Sequence, residues 1–227
     1  MNGNATYAEI CDALATNGLR ARGGFIAEAS DALPDGVGTV VLVGNVGGSL
    51  WPAFDTDRQA VDHPLDDWSK RTLGRLVTEM PGALGAVFPS DGPPYYPFQQ
   101  WALRAEPVHP SPLGPLIHPE YGLWHAYRGA LLFAGEIDGL PTPVPVSSPC
   151  STCADKPCLA TCPVEAIDPE EGGLDVMVCA AHLKTAPGDA CLAGACLARR
   201  ACPVGAEYRY DEPQARFHMG AFLAARG

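Results

Sequence analysis

Eight cysteines crowd into the stretch from 150 to 202 of a 227-residue chain, and a ninth, Cys11, stands alone. The first block runs Cys150-Ser151-Thr152-Cys153-Ala154-Asp155-Lys156-Pro157-Cys158-Leu159-Ala160-Thr161-Cys162-Pro163, a C-x2-C-x4-C-x3-C-P pattern. In a C-x2-C-x2-C-x3-C-P run three close thiolates hold one four-iron cluster and the cysteine before proline crosses to another. Only the middle gap differs. A cubane offers four iron corners, so a tight loop supplies three thiolates and the fourth comes from a distant part of the chain. Downstream, Cys196-Leu197-Ala198-Arg199-Arg200-Ala201-Cys202-Pro203-Val204-Gly205-Ala206 echoes Cys158-Leu159-Ala160-Thr161-Cys162-Pro163-Val164-Glu165-Ala166, an internal repeat that points to a pseudo-twofold module with two clusters. The alternatives for these thiols are structural zinc and disulfides. Zinc sites usually pair two C-x2-C knuckles, and only one such knuckle occurs here among x3, x4 and x5 gaps.

The elements that must carry this chemistry are read from periodicity. Tyr7, Ile10, Cys11 and Leu14 follow the spacing of a helix with one buried face, stopped by Asn17-Gly18. On that reading Cys11 is a small core residue. Thr39 to Val43 is a β-branched run suited to a central strand, and Gly44-Asn45-Val46-Gly47-Gly48 reads as the turn after it. Pro64 opens a second amphipathic helix through Leu65, Trp68, Leu73, Leu76, Val77 and Met80. Ala83 to Phe88 and Ala130 to Phe133 are further strands, and the proline-rich Pro93-Pro94-Tyr95-Tyr96-Pro97-Phe98 between them is irregular. Phe217, Met219, Phe222 and Leu223 mark a last helix that packs back on the body, and Lys184, Arg199 and Arg200 read as a solvated face, the alternative being residues that tune potential or docking near the cysteines. The expected fold class is α+β: a sheet flanked by helices, followed by a ferredoxin-like iron-sulfur module. The expected divisions are 1–145 for the α+β region, 146–211 for the two-cluster module and 212–227 for the helix.

Composition narrows the partners. The formal net charge is −11 and only Lys70, Lys156 and Lys184 are lysines, so no basic stripe is available to neutralise phosphates and nucleic acid is not an expected partner. Met1-Asn2-Gly3-Asn4-Ala5-Thr6 has no positive or apolar signal-like region, and no apolar run reaches the roughly 20 residues of a membrane helix, so the expectation is a cytoplasmic chain with no membrane contact. In a reducing compartment, clustered cysteines bind metal or do redox chemistry more often than they form disulfides. A redox partner protein is expected, steered by the acidic surface.

Residues 134 to 203 resemble the iron-sulfur half of the epoxyqueuosine reductase family. The resemblance rests on Gly135-Glu136-Ile137 ahead of the first cysteine block, on Cys179 after Leu174-Asp175-Val176-Met177-Val178, and on the closing Cys191-x4-Cys196-x5-Cys202-Pro203. It implies two [4Fe-4S] clusters, one on Cys150, Cys153, Cys158 and Cys202 and the other on Cys162, Cys179, Cys191 and Cys196, with Cys11 spare. A second stretch, from Leu116-Ile117-His118-Pro119 through Gly122-Leu123-Trp124 to Arg128-Gly129, is similar to a segment of the cobalamin-processing CblC-type proteins, with Tyr95-Tyr96 upstream. Both families share a corrinoid-binding, nitroreductase-like domain, so the resemblance implies a bound cobalamin with His118, Trp124 and Arg128 around it; the residues by themselves read equally as core (Trp124, Tyr127, Leu131) and a capped surface histidine (His118). Gln99-Gln100-Trp101 stands where the reductases have their proton-donating Asp, and epoxide opening needs a positioned acid. A tRNA substrate is therefore not expected, and no catalytic residue is assigned. Three functions remain: a corrinoid-linked iron-sulfur oxidoreductase passing single electrons, a cobalamin-handling or electron-carrier protein without turnover, and a structural zinc or cysteine scaffold.

Overall fold

The computed structural model describes residues 3–168 and 173–226. The chain divides into two compact units, Met1–Pro107 with Ala126–Pro145, and Val108–His125 with Val146–Gly227. The expected division at 145 coincides with one crossing between them. Residues 108–125, grouped with the N-terminal region on sequence, belong to the cysteine-bearing unit.

The first unit is α+β. Its elements are α1 (Tyr7–Ala15), β1 (Arg20–Ile26), β2 (Thr39–Val46), α2 (Trp51–Asp57), α3 (Pro64–Glu79), β3 (Ala83–Val87), α4 (Phe98–Ala105) and β4 (His125–Phe133). The sheet order is β1-β2-β4-β3, antiparallel at β1/β2 and at β3/β4. Every residue of β2 is buried, and since successive side chains point to opposite faces, both faces of that strand are covered. Helices α1 and α4 pack on β1, α4 also on β2, and α3 on β3. Thr6 and Glu9 form a reciprocal capping box that starts α1. Pro64 starts α3, whose buried residues Leu65, Trp68, Leu73 and Leu76 lie on the helical period.

Two sequence expectations change here, and one strand was not foreseen. Gly44, Asn45 and Val46 continue β2, and the turn falls at 47–50. Gly44 is needed inside the strand because a Cβ there would sit 2.1 Å from the Ala126 carbonyl oxygen of β4. Cys11 is half-buried; Ile10 and Leu14 centre the buried face of α1 and Cys11 lies at its edge. Strand β1 had no sequence signature, since Arg20-Ala21-Arg22-Gly23-Gly24 combines charge and glycine. Arg22 is accommodated in the interior by a two-pronged pair with Glu106, at 2.8 and 3.0 Å, and Glu106 also accepts from the Tyr127 hydroxyl.

In the second unit, β5 (Ile167–Asp168) and β6 (Gly173–Leu174) pair antiparallel. Around them are α5 (Pro149–Thr152), α6 (Pro157–Ala160), α7 (Val176–Leu183), α8 (Asp189–Gly194), α9 (Leu197–Ala201) and α10 (Glu212–Ala224). Most are one or two turns long, too short to be stable alone. They hold one another: α6 packs on α9, α7 on α8, and α10 on α8. Two small cores support them. Ile117, Leu123 and Cys202 form one, with Leu113, Cys150 and Val204 against it; Trp124, Ala195, Tyr210 and Ala215 form the other. Among the described residues, no helix is long and apolar enough to cross a membrane.

Candidate metal centre

The eight clustered cysteines line two cavities of the second unit, four to each. Cys150, Cys153, Cys158 and Cys202 line one of about 260 Å³ together with Pro112, Ile117, Pro149, Pro157, Pro203 and Val204. Cys162, Cys179, Cys191 and Cys196 line another of about 260 Å³. All nine cysteines of the chain are free thiols.

Local sequence explains how each thiol reaches its wall. Ser148 caps α5 by accepting from the Cys150 N–H at 3.3 Å, and Pro149 and Pro157 each open a helical turn where a missing N–H costs nothing. Lys156 takes left-handed backbone, φ 38°, and turns the chain between Cys153 and Cys158. Such a residue costs of order 1 kcal/mol. That turn lies within the four residues that separate Cys153 from Cys158.

The other cavity is built from more distant pieces. Asp175 caps α7 by accepting from Met177 N and Val178 N, which fixes the turn that carries Cys179. Cys191 lies in α8 and is buried; Ala195 and Cys196, at φ 54° and 75°, reverse the chain so that Cys196 N–H donates to the Cys191 carbonyl at 2.9 Å. Cys162 accepts the Ala166 N–H on its sulfur at 3.3 Å. Helix α10 closes this cavity with His218, Met219 and Phe222, and Arg216 ties it to α8 through Asp189 at 2.7 and 3.0 Å. That pair is exposed and screened by water, so apolar packing carries the attachment.

The thiols feel one another within each set. Burial first, then Cys202 and Cys153, pushes the Cys150 thiol up; burial, Cys202 and Cys150 do the same to Cys158. Cys179 is pushed up to about 11 by burial and by Cys196, Cys162 and Cys191. Burial raises Cys191 as well, opposed by a hydrogen bond from the Leu197 backbone. Loading either site with metal therefore releases protons. No group of three or more His, Cys, Asp or Glu among the described residues is arranged to hold a metal ion. Thiols sharing one zinc, at about 2.3 Å each, would have to converge.

Of the residues expected around a corrinoid, His118 and Trp124 lie in the second unit and Arg128 in the first. His118 accepts from Glu120 N and Tyr121 N on Nδ1 and stacks on Tyr121, ring centroids 4.2 Å apart. Trp124 is fully buried, edge-on to Tyr210 and covered by the Arg199 guanidinium at 4.4 Å. Arg128 donates to Asn45 Oδ1 at 3.0 Å. Arg199, read as solvated, instead turns inward to donate to the Leu123 carbonyl and to stack on Trp124 and Tyr210, and it lines the Cys162 cavity. His182 and His218, on that same wall, were not singled out from sequence. The spacing of His182 one helical turn after Cys179 was the available signal.

No protein-family model matches the chain, and a search of curated proteins finds no match.

Proposed function

We propose that the second unit is a two-cluster, ferredoxin-type electron-transfer module, with one [4Fe-4S] cluster on Cys150, Cys153, Cys158 and Cys202 and another on Cys162, Cys179, Cys191 and Cys196. The observation that carries this reading is the alternate use of the cysteines: one cavity takes Cys150, Cys153 and Cys158 from the first block with Cys202 from the last, and the other takes Cys162 from the first block with Cys179, Cys191 and Cys196 from downstream. A cavity of about 260 Å³ ringed by four thiols offers one thiolate to each iron corner of a cubane. The donor set is all thiolate, and the Cys162 sulfur already receives a backbone N–H, as cluster sulfurs commonly do.

When bound, such clusters supply one-electron transfer at potentials that reach about −400 mV and below. The chain's own part is to hold the thiols at fixed corners, to exclude water with Ile117, Val204, Leu123 and Phe222, and to steer a basic redox protein by its net charge of −11. The likeness to the iron-sulfur half of the epoxyqueuosine reductases points the same way. A bound corrinoid rests on sequence resemblance alone, and its test is a change in the cobalamin spectrum on addition to the reduced, cluster-loaded chain.

The module is tested by anaerobic reconstitution with iron and sulfide quantified. About eight irons and an equal amount of acid-labile sulfide per chain are expected. Zinc bound in preference to iron, with no labile sulfide, would leave the scaffold reading in its place.

A further inference from the structure

We propose that the Cys162, Cys179, Cys191 and Cys196 site is the higher-potential member of the pair, the one in which an added electron comes to rest, and that Arg199 and His182 set this order. The inference deepens the electron-transfer reading and rests on it. The two cavities each hold about 260 Å³, and their walls differ.

The Cys162 wall holds one half-buried cation and several N–H donors. Arg199 lines it, half-buried, its guanidinium held by the Leu123 carbonyl and by Trp124 and Tyr210 at 4.4 and 4.8 Å. His182 and His218 line it too. His182 lies one helical turn beyond Cys179 on α7, and its Nε2 is enclosed with no hydrogen-bond partner among the described residues. An enclosed polar nitrogen left unpaired is costly, and a sulfur acceptor in the cavity that His182 lines would relieve that cost. The N–H groups of Ala166 and Leu197 are already directed at the sulfurs of Cys162 and Cys191.

The Cys150 wall is different. Its non-cysteine lining is Pro112, Ile117, Pro149, Thr152, Lys156, Pro157, Pro203 and Val204. Four of these are prolines, which have no N–H to give; the Cys150 and Cys158 sulfurs take hydrogen bonds from the Ser148 side chain and the Cys158 backbone, and among the described residues neither an enclosed unpaired nitrogen nor a half-buried guanidinium lines this cavity. Lys156 is the single cation on that wall, and it is exposed, so water and salt screen it. Adding an electron to a site of thiolates and sulfide adds negative charge. Positive charge and hydrogen bonds to sulfur favour the reduced state and raise the potential. The order directs one electron from the reduced Cys150 site to the oxidised Cys162 site, with no bond made or broken.

The test is a potentiometric titration of the reconstituted full chain with dithionite and mediators, followed by electron paramagnetic resonance, with iron and sulfide measured on the same samples. Two midpoints are expected. Arg199→Met and His182→Phe each lower the higher one and leave the lower unmoved, Arg199→Lys and His182→Gln hold it near the parent value, and Lys156→Met moves only the lower. A single shared midpoint, or Arg199→Met and His182→Phe acting only on the lower, overturns the proposal. So does an unmoved higher midpoint in His182→Phe at parental iron content, whatever Arg199→Met does to folding. Failure to assemble iron and labile sulfide in the parent chain would instead remove the electron-transfer reading itself, and the metal analysis tells the two failures apart.

Discussion

Gly122 lies so close to Val204 that a Cβ on it would sit 2.0 Å from the Val204 carbonyl oxygen, and Gly205 returns the contact, its own Cβ position falling 2.3 Å from the Tyr121 carbonyl carbon. Both glycines have left-handed backbone, φ 57° and 69°. The turn after His118 is thus pressed backbone to backbone against the segment that follows Cys202 and Pro203. Because the obstructing atoms are main chain, they cannot rotate away. Gly122→Ala is expected to destabilise the protein by about 1–3 kcal/mol and to reduce iron held at the Cys150 site more than at the Cys162 site. Urea unfolding and site-resolved iron content check this. Gly36→Ala is the control: it has φ 86° but nothing within 4 Å of its Cβ position, and it is expected to cost only about 1 kcal/mol.

Cysteine substitutions should sort by cavity and not by distance along the chain. Cys158→Ser and Cys202→Ser are each expected to remove the same half of the iron, and the double variant to remove no more. Cys162→Ser, only four positions from Cys158, is expected to remove the other half, together with Cys196→Ser. Such non-additivity within a set is the signature of groups acting on one centre. Iron, labile sulfide and the reduced-state resonance signals of each variant decide it.

In the first unit, Arg22 and Glu106 form a nearly inaccessible pair, with side chains 2% and 9% exposed, and burial already lifts the Glu106 carboxyl above its ordinary range. Arg22→Met strands that carboxylate and is expected to cost about 3–5 kcal/mol. Glu106→Gln is expected to cost less than that, since an amide oxygen can still accept from Arg22 or Tyr127. The double variant Arg22→Met with Glu106→Leu should recover much of the loss, because no unpaired charge remains. A double-mutant cycle by chemical denaturation measures the coupling.

Tyr7 supplies the clearest alkaline dependence. Its hydroxyl accepts the Gly23 N–H at 3.0 Å, and burial pushes its ionisation up to about 12. The folded chain keeps the proton between about pH 10 and 12 where the unfolded chain has released it, so stability falls as pH rises through that window. Below pH 10 the contribution is whole. Melting temperatures of the parent and of Tyr7→Phe between pH 9 and 12 should converge as the pH climbs.

What the sequence disclosed follows from what repeats. Thr39 to Val43, Pro64 to Met80 and the α1 face were legible because burial on a regular period leaves a regular pattern, and the cysteine spacing carried the grouping expectation through its likeness to known iron-sulfur motifs. Strand β1 was not legible, since its buried Arg22 makes sense only once Glu106, 84 positions away, is beside it. Helix α4 was hidden for a related reason: it is fixed by Asp31, which accepts from Trp101 Nε1 at 3.0 Å and from Arg104 at 2.6 Å. Arg199 looked like a surface cation because nothing local announces Trp124 and Tyr210 as its stacking partners. His182 was visible in principle, one turn after Cys179, but a lone histidine on a short helix has many uses.

The crossing of Cys162 and Cys202 between the cavities also fixes a timetable. A ribosome delivers Cys150, Cys153 and Cys158 early, yet their pocket gains its fourth thiol only at Cys202; the neighbouring pocket waits until Cys196. Both sets of thiols are therefore complete within the same few residues of synthesis, before α10 arrives to close the second cavity. On the two-cluster proposal, machinery that delivers iron would meet a nascent chain with neither set of thiols whole, and then, almost at once, a chain with both.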